Sequence, residues 1–457
     1  MKMFKLYKKR FIKFLLLILF LMVSLPSNAA DLNSIPTVFG LRYEFIFFAL
    51  VLIGVAAFSK RAMIIALIGL SATLIFKLFF VHEFSISGHL LGNAGREGEW
   101  LSLLNLGGLL FGFALLAKHF EESKVPEILP DYLPNDWKGG FALLFAIMVI
   151  SSFLDNIAAA MIGGAIALVV FKGRVHIGYL AAIVAASNAG GAGSVVGDTT
   201  TTLMWIDGVA PLHISRAFIA SIVAIFIFGI IASIQQDRYQ RIQKDATSDI
   251  KADWGKLFIV LLMLVGAIIT NWKFSFPALG VWIAIFIGAT FRKTSWKVLY
   301  SAIPGSVFLL AMVACASLMP VEQLPKASWQ SSFTMGFVSA VFDNIPLTKL
   351  CLVQGGYDWG ILAFAVGFGG SMIWFGSSAG VAITNMYPEA KSVLNYVKKG
   401  WHISLAYVVS FFIMLSIAGW QPLPNHHKEN FKTEVDINKV KKNQQITLKS
   451  RIQINKL

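Results

Sequence analysis

The chain alternates between apolar runs and short polar interruptions, and the length of each run decides what it predicts. A hydrocarbon layer about 30 Å thick takes about 20 apolar residues in one helix. Runs approaching that length lie at 37–58, 62–81, 100–117, 215–234, 256–270, 276–291, 303–319 and 401–420, and each predicts a membrane span. Residues 139–171 instead form two arms split by Asp155 and Asn156, each too short to cross, so the pattern predicts a re-entrant hairpin with its polar tip near the midplane. Nearly the same text returns at 331–353, split by Asp343 and Asn344. Residues 177–205 and 360–387 are too long and too polar for one helix. Gly190, Gly191, Gly193 and Gly197 in the first, and Gly367, Gly369, Gly370 and Gly376 in the second, permit unwinding, while nearby hydroxyls can satisfy the freed backbone groups. Both predict broken helices.

The order of parts repeats: three spans, a hairpin, a broken helix and one more span, then the same again. Five full crossings is an odd number, so the second copy must run upside down. The expected fold is an all-α polytopic membrane protein, an inverted repeat of five transmembrane helices plus one re-entrant hairpin each, with a broken helix in each repeat. The first repeat takes 31–234, a linker 235–256, and the second 257–420. Residues 1–30, with a basic start, an apolar stretch and small residues after Pro26, read as a signal peptide or N-terminal anchor, and 421–457 as a basic C-terminal tail. Lys60 and Arg61, Lys172 and Arg174, Arg238 to Lys256, Arg292 and Lys293, and Lys398 and Lys399 mark the cytoplasmic loops of a multi-pass protein of the bacterial inner membrane. The first hairpin then enters from inside and the second from outside, which leaves the tail outside.

Composition narrows the partners. A chain that is 56% hydrophobic and 14% charged is no water-soluble globule with a single core. Its net charge of +15 sits in short loops and at the termini, which points to membrane lipid and away from nucleic acid. Cys315 and Cys351 fit no metal spacing and read as apolar fillers. His176, His213 and His402 fall at span ends, where a wet interfacial histidine is the expectation. No phosphate-binding loop of the Gly-x4-Gly-Lys-Ser/Thr form occurs, so coupling is expected to an ion gradient and not to ATP, and no cofactor is expected.

A carboxylate at membrane depth costs roughly 2.5 to 3.5 kcal/mol on the gentlest scale, so Asp155 and Asp343 in matching contexts ask for a function, and Asp198 joins them in the first broken helix. The candidate transport residues are Asp155, Asn156, Asp198, Thr199, Thr200, Asp343 and Asn344, supported by Ser187, Asn188, Ser377, Ser378 and Lys349. Carboxylate, amide, hydroxyl and carbonyl oxygens are the hard donors that sodium takes, which makes Asp155, Asp198 and Asp343 candidate Na+ ligands. Against this stands the plainer role of an Asp as the N-cap of a half-helix. Lys349 has two readings, a tethered cation paired with an acid or a side chain that snorkels to the outer interface. Gly197 and Asp198 also admit an intramembrane aspartyl protease. That class has a glycine where Val195 stands, and it leaves the duplicated hairpin unexplained.

Phe153 to Asn156, Phe342 to Pro346, and the run from Ser187 to Trp205 resemble the ion transporter superfamily over roughly 37–420. They look most like the NhaD-type sodium/proton antiporters, which are related to the citrate and dicarboxylate carriers and the arsenite permeases. The resemblance implies secondary active exchange of Na+ or Li+ for H+ by alternating access, and it admits a homodimer. The dicarboxylate carriers have acid-free hairpin tips, whereas Asp at both tips here suits a cation. Ala158, Ala159 and Ala160, where hydroxyls are expected, and Lys349 depart from the pattern, and they keep a sodium- or proton-coupled anion permease as the alternative.

Overall fold

The computed structural model describes residues 37–38, 41–58, 61–81, 84–93, 96–243 and 251–423. The expected signal peptide or anchor at 1–30, and the tail beyond 423, lie outside the described residues. The fold is all-α and polytopic, and its principal helices fall into two sets of eight. The first set is α1 (Tyr43–Ala57), α2 (Ala62–Phe80), α3 (Trp100–Glu122), α4 (Trp137–Ser151), α5 (Asn156–Val170), α6 (Ile177–Ala192), α7 (Thr199–Ile206) and α8 (Ala217–Tyr239). The second is α9 (Trp254–Phe274), α10 (Pro277–Phe291), α11 (Val298–Ser317), α12 (Trp329–Ser339), α13 (Asn344–Gln354), α14 (Trp359–Gly369), α15 (Ser378–Met386) and α16 (Trp401–Ala418).

The apolar runs become helices because lipid offers the backbone no partners, so each segment must close its own hydrogen bonds. α4 and α5 have 15 residues each, about 22 Å at 1.5 Å per residue, which is short of a crossing. α12 and α13 have 11 each. Several boundaries move from their expected places. Thr37 and Val38 pair with Leu41 and Arg42 in a small antiparallel ladder, so the first helix starts only at Tyr43, where Arg42 bonds the buried Glu44. α3 runs on to Glu122, because Lys256 and Ser295 satisfy that carboxylate. α8 continues to Tyr239 and α9 starts at Trp254, capped by Asp253, which shortens the expected linker at both ends. α11 begins at Val298 and passes through Pro304.

Contacts at the two ends of α8 fix how the sets oppose each other. Just before α8, Arg216 pairs with Asp358, the cap of α14 (3.2 Å), and donates to the Ala418 carbonyl at the end of α16 (3.1 Å). In its last turn Gln236 accepts from the His176 N–H at the start of α6 (2.7 Å), and Gly178 lies against Gln235 and the Lys399 carbonyl just before α16. α6 and α14 therefore begin at opposite ends of a 23-residue helix, and α16 runs antiparallel to α8. The last turns of α6 and α14 meet in the middle, where Gly367 lies against Ala192. Each hairpin leans on the other set: α5 packs on α15, and α13 on α7. Every residue of α6 and of α14 is buried, so these two half-crossings are the core, while α9 and α10 turn Phe258, Leu261, Trp272, Ile283 and Phe286 outward.

Glycine permits the closest approaches, and it does so twice in the same way. A Cβ on Gly190 would lie 2.0 Å from the Met148 carbonyl oxygen, and one on Gly369 would lie 2.4 Å from that of Gly336, the matching residue of the second hairpin. Gly190→Ala and Gly369→Ala are each expected to destabilise by about 1–3 kcal/mol, because backbone cannot yield as a side chain can. Gly305→Ala, which meets nothing within 4 Å, serves as the control, and thermal unfolding in detergent checks the ranking. Lys172 follows α5 near the end of α8, whereas Gln354 closes α13 near its start; single cysteines there are expected to label from opposite sides of sealed vesicles, with Cys315 and Cys351 replaced.

Candidate functional site

Each interruption restarts the chain on a capped helix. Asp155 accepts from the Ile157 N–H (3.2 Å), Asp198 from Thr200 (3.1 Å), Asp343 from Ile345 (3.1 Å) and Ser377 from Gly380 (3.3 Å). The plain capping role thus holds for all three acids, and helix N-termini favour a negative charge there. A cap occupies one carboxylate oxygen. In Asp198 the other, Oδ2, accepts from Nδ2 of Asn344 at the tip of the second hairpin (3.3 Å). Asp198 is fully buried, whereas Asp155 and Asp343 are partly exposed.

The amides join the four interruptions into one centre. Asn156 at the first tip donates to Asn188 Oδ1 in α6 (3.0 Å), and Asn188 donates to Ser371 just past α14 (2.9 Å). Ser378, the first residue of α15, lies against Asp343. Asn156 is thus linked to Asn188, Asn344 to Asp198 and Ser378 to Asp343, while Asp155 bonds the Ile157 N–H of its own half-helix. The three carboxylates still do not form one ligand set: among the described residues no three of His, Cys, Asp and Glu converge to hold a metal ion.

The hydroxyls divide by task. Thr201 bonds the carbonyls of Asp198 (2.9 Å) and Ser194, and Thr202 those of Val195 (2.8 Å) and Asp198 (2.9 Å), so both satisfy the unwound backbone. Ser187 bonds the Val184 carbonyl (2.9 Å) and is structural. Thr200 differs: its hydroxyl is buried against Asp198 without a hydrogen bond of good geometry. Thr199 is half-buried. Two serines escaped notice in the sequence. Ser151 bonds the Ser187 carbonyl (2.6 Å) and Ser339 the Val366 carbonyl (2.7 Å), pinning each hairpin to its own broken helix. Each stands four residues before its tip Asp, a signal that aligning the two tips reveals.

The two breaks share glycines at Gly190 and Gly369, Gly191 and Gly370, and Gly197 and Gly376, and differ at most positions between them. Aligning the glycines sets Ser377 against Asp198 and Gly367 against Asn188. A Cβ on Gly367 would lie 3.5 Å from Asp198 Oδ2, an ordinary contact, so the second copy sets a bare backbone position beside the carboxylate of the first.

Lys349 does not snorkel. It is buried, with Nζ 2.9 Å from Glu99 and 3.6 Å from Asp207, acids at the start of α3 and the end of α7. Of the histidines, His176 is half-buried and caps α6, and His213 is half-buried in a short helix before α8. His402 corrects the expectation of a wet span end: it is fully buried where α16 packs on α6, and neither ring nitrogen has a partner.

The sodium/proton antiporter 1 of Arabidopsis thaliana is 27% identical over 321 residues, 60% of this chain and 53% of that protein. The Na(+)/H(+) antiporters NhaD of Vibrio cholerae and Alkalimonas amylolytica are each 25% identical, over 334 and 336 residues, covering 61% of this chain and 69% and 68% of theirs. The chain resembles the NhaD-type sodium/proton antiporters. It spans about half the length of the plant relative and about two thirds of the bacterial ones. No family model matches the chain.

Removing the buried Lys349 would take the shared cation from two partly buried acids, Glu99 and Asp207. Lys349→Met is expected to cost about 3–5 kcal/mol, the usual penalty for breaking a buried pair from one side. Lys349→Met with Glu99→Gln is expected to recover part of the loss in a thermal melt.

Proposed function

We propose that the protein is a secondary sodium/proton antiporter that exchanges Na+ or Li+ for H+ across the inner membrane of a bacterium. It is a transporter and not an enzyme. The basic face, with Lys138, Lys172, Arg174, Arg238, Lys398 and Lys399, is cytoplasmic by the positive-inside rule. The observation that carries the proposal is the buried Asp198 carboxylate, held by Asn344 of the opposite hairpin in a centre built of capped half-helices. The names of the relatives support the same ions. Half-helix C-termini bring carbonyl oxygens, with partial negative charge, to the place where the N-terminal caps hold carboxylates. Such a centre favours a small hard cation and disfavours a dicarboxylate.

Sodium must shed water to enter, and an ionised carboxylate with amide, hydroxyl and carbonyl oxygens replaces that shell. A proton on the same carboxylate removes the charge and with it the attraction. Cation and proton therefore exclude each other, which is the coupling that antiport requires. Asp198 is the central ligand; Asp155 and Asp343, partly exposed on either side, pass the ion in and out. Antisymmetric halves entering from opposite faces exchange conformations to open the centre to each side in turn.

In acid-loaded vesicles containing a pH dye, added Na+ or Li+ is expected to release protons, and uptake of a labelled dicarboxylate without sodium-driven proton flux would move the protein to the anion branch. Asp198→Asn is expected to abolish exchange in a folded protein; near-normal exchange would take the carboxylate out of the mechanism. Raising the pH removes the competing proton, so the apparent KM for Na+ should fall, and a constant KM would mean separate sites. Thr200→Val is expected to raise that KM roughly tenfold at unchanged thermal stability, the scale of one lost bond to a charged group. Thr201→Val, which strips a bond from the unwound backbone, should instead lower stability.

A further inference from the structure

On the basic face, the last turn of α8 and the starts of α6 and α16 border a shallow, open cavity of about 480 Å³. Arg238, Lys398 and Lys399 line it, and among the described residues none of the three makes an ion pair. The adjacent acid of α8, Asp237, faces Arg241 at 3.6 Å. A fourth cation, Arg174, stands over the ring of Tyr239 at 5.6 Å from its centroid. Tyr239 and Trp401 form the aromatic part of the wall and are 48% and 49% exposed. They end and begin membrane helices, which places the cavity at headgroup depth, where such rings concentrate. Gln235 also lines the cavity, with its side-chain oxygen turned inward and buried against Gly178.

We infer that this cavity binds the headgroup of an anionic phospholipid. Arg238, Lys398 and Lys399 take the phosphodiester. Unpaired cations gathered beside interfacial aromatics on the positive face of a bundle meet the negative surface of the membrane at the depth where its phosphates lie. A soluble phosphate shares the charge. It lacks the acyl chains that would rest on Tyr239 and Trp401.

The site is tested by binding alone, independently of transport. Detergent-purified protein is titrated with phosphatidylglycerol or phosphatidylcholine, and bound lipid is counted by native mass spectrometry. Phosphatidylglycerol is expected to be retained and phosphatidylcholine lost. In the triple variant R238Q/K398Q/K399Q, affinity for phosphatidylglycerol should fall roughly a hundredfold, about fivefold per basic residue. R238Q alone should show the fivefold step, should the triple variant be poorly folded. Equal retention of phosphatidylglycerol by the wild type and R238Q would overturn the site. Displacement of phosphatidylglycerol by millimolar inorganic phosphate would overturn the lipid and leave a pocket for soluble anions.

Discussion

The structure depends on one constraint, that a backbone broken inside a membrane must still find a partner for every N–H and C=O. Four helices are interrupted in the middle of this bundle, and each interruption frees a set of both groups. Asp155, Asp198, Asp343 and Ser377 take up N–H groups as caps. Ser151, Ser339, Thr201 and Thr202 take up carbonyls. Gly190 and Gly369 let the two hairpins approach closely enough for the serines to reach. Those residues make polar backbone tolerable at this depth, and the proposed exchange would use what they leave over: one oxygen of Asp198 and the hydroxyl of Thr200.

Asp155 and Asp343 were legible in the sequence because a charge inside an apolar run is locally improbable, and each break falls where the text placed it. The broken helices were legible for the same local reason, from their glycines and hydroxyls. Long-range partners were not. Thr200 and Thr201 are neighbours of one type in one run, and only the fold separates the one that bonds the Ser194 carbonyl from the one without a partner. Lys349 kept two readings because its acids, Glu99 and Asp207, lie far upstream in separate segments. His402 misled because a span end is usually wet, and here α6 covers it.

The two halves agree in scaffold and differ in charge. Ser151 and Ser339, and Gly190 and Gly369, hold the same places and make the same contacts. Asp198 and Asn188 face Ser377 and Gly367 in the alignment, so the duplicated frame carries one central acid and sets a bare backbone position of the other copy beside it.

Aligning the hairpin tips also sets Lys349 against Met161. In a carrier of this design, two identical halves would trade shapes at no energetic difference, and the inward and outward forms would be equally populated. Every mismatch between the copies tilts that balance. An ion triad fastens one hairpin to α3 and α7, with a thioether at the equivalent point of the other, and under the proposed exchange it would make the resting orientation of the empty protein a property of Lys349. On that reading, sequence divergence between the repeats would record how far the proposed cycle is biased away from an even exchange.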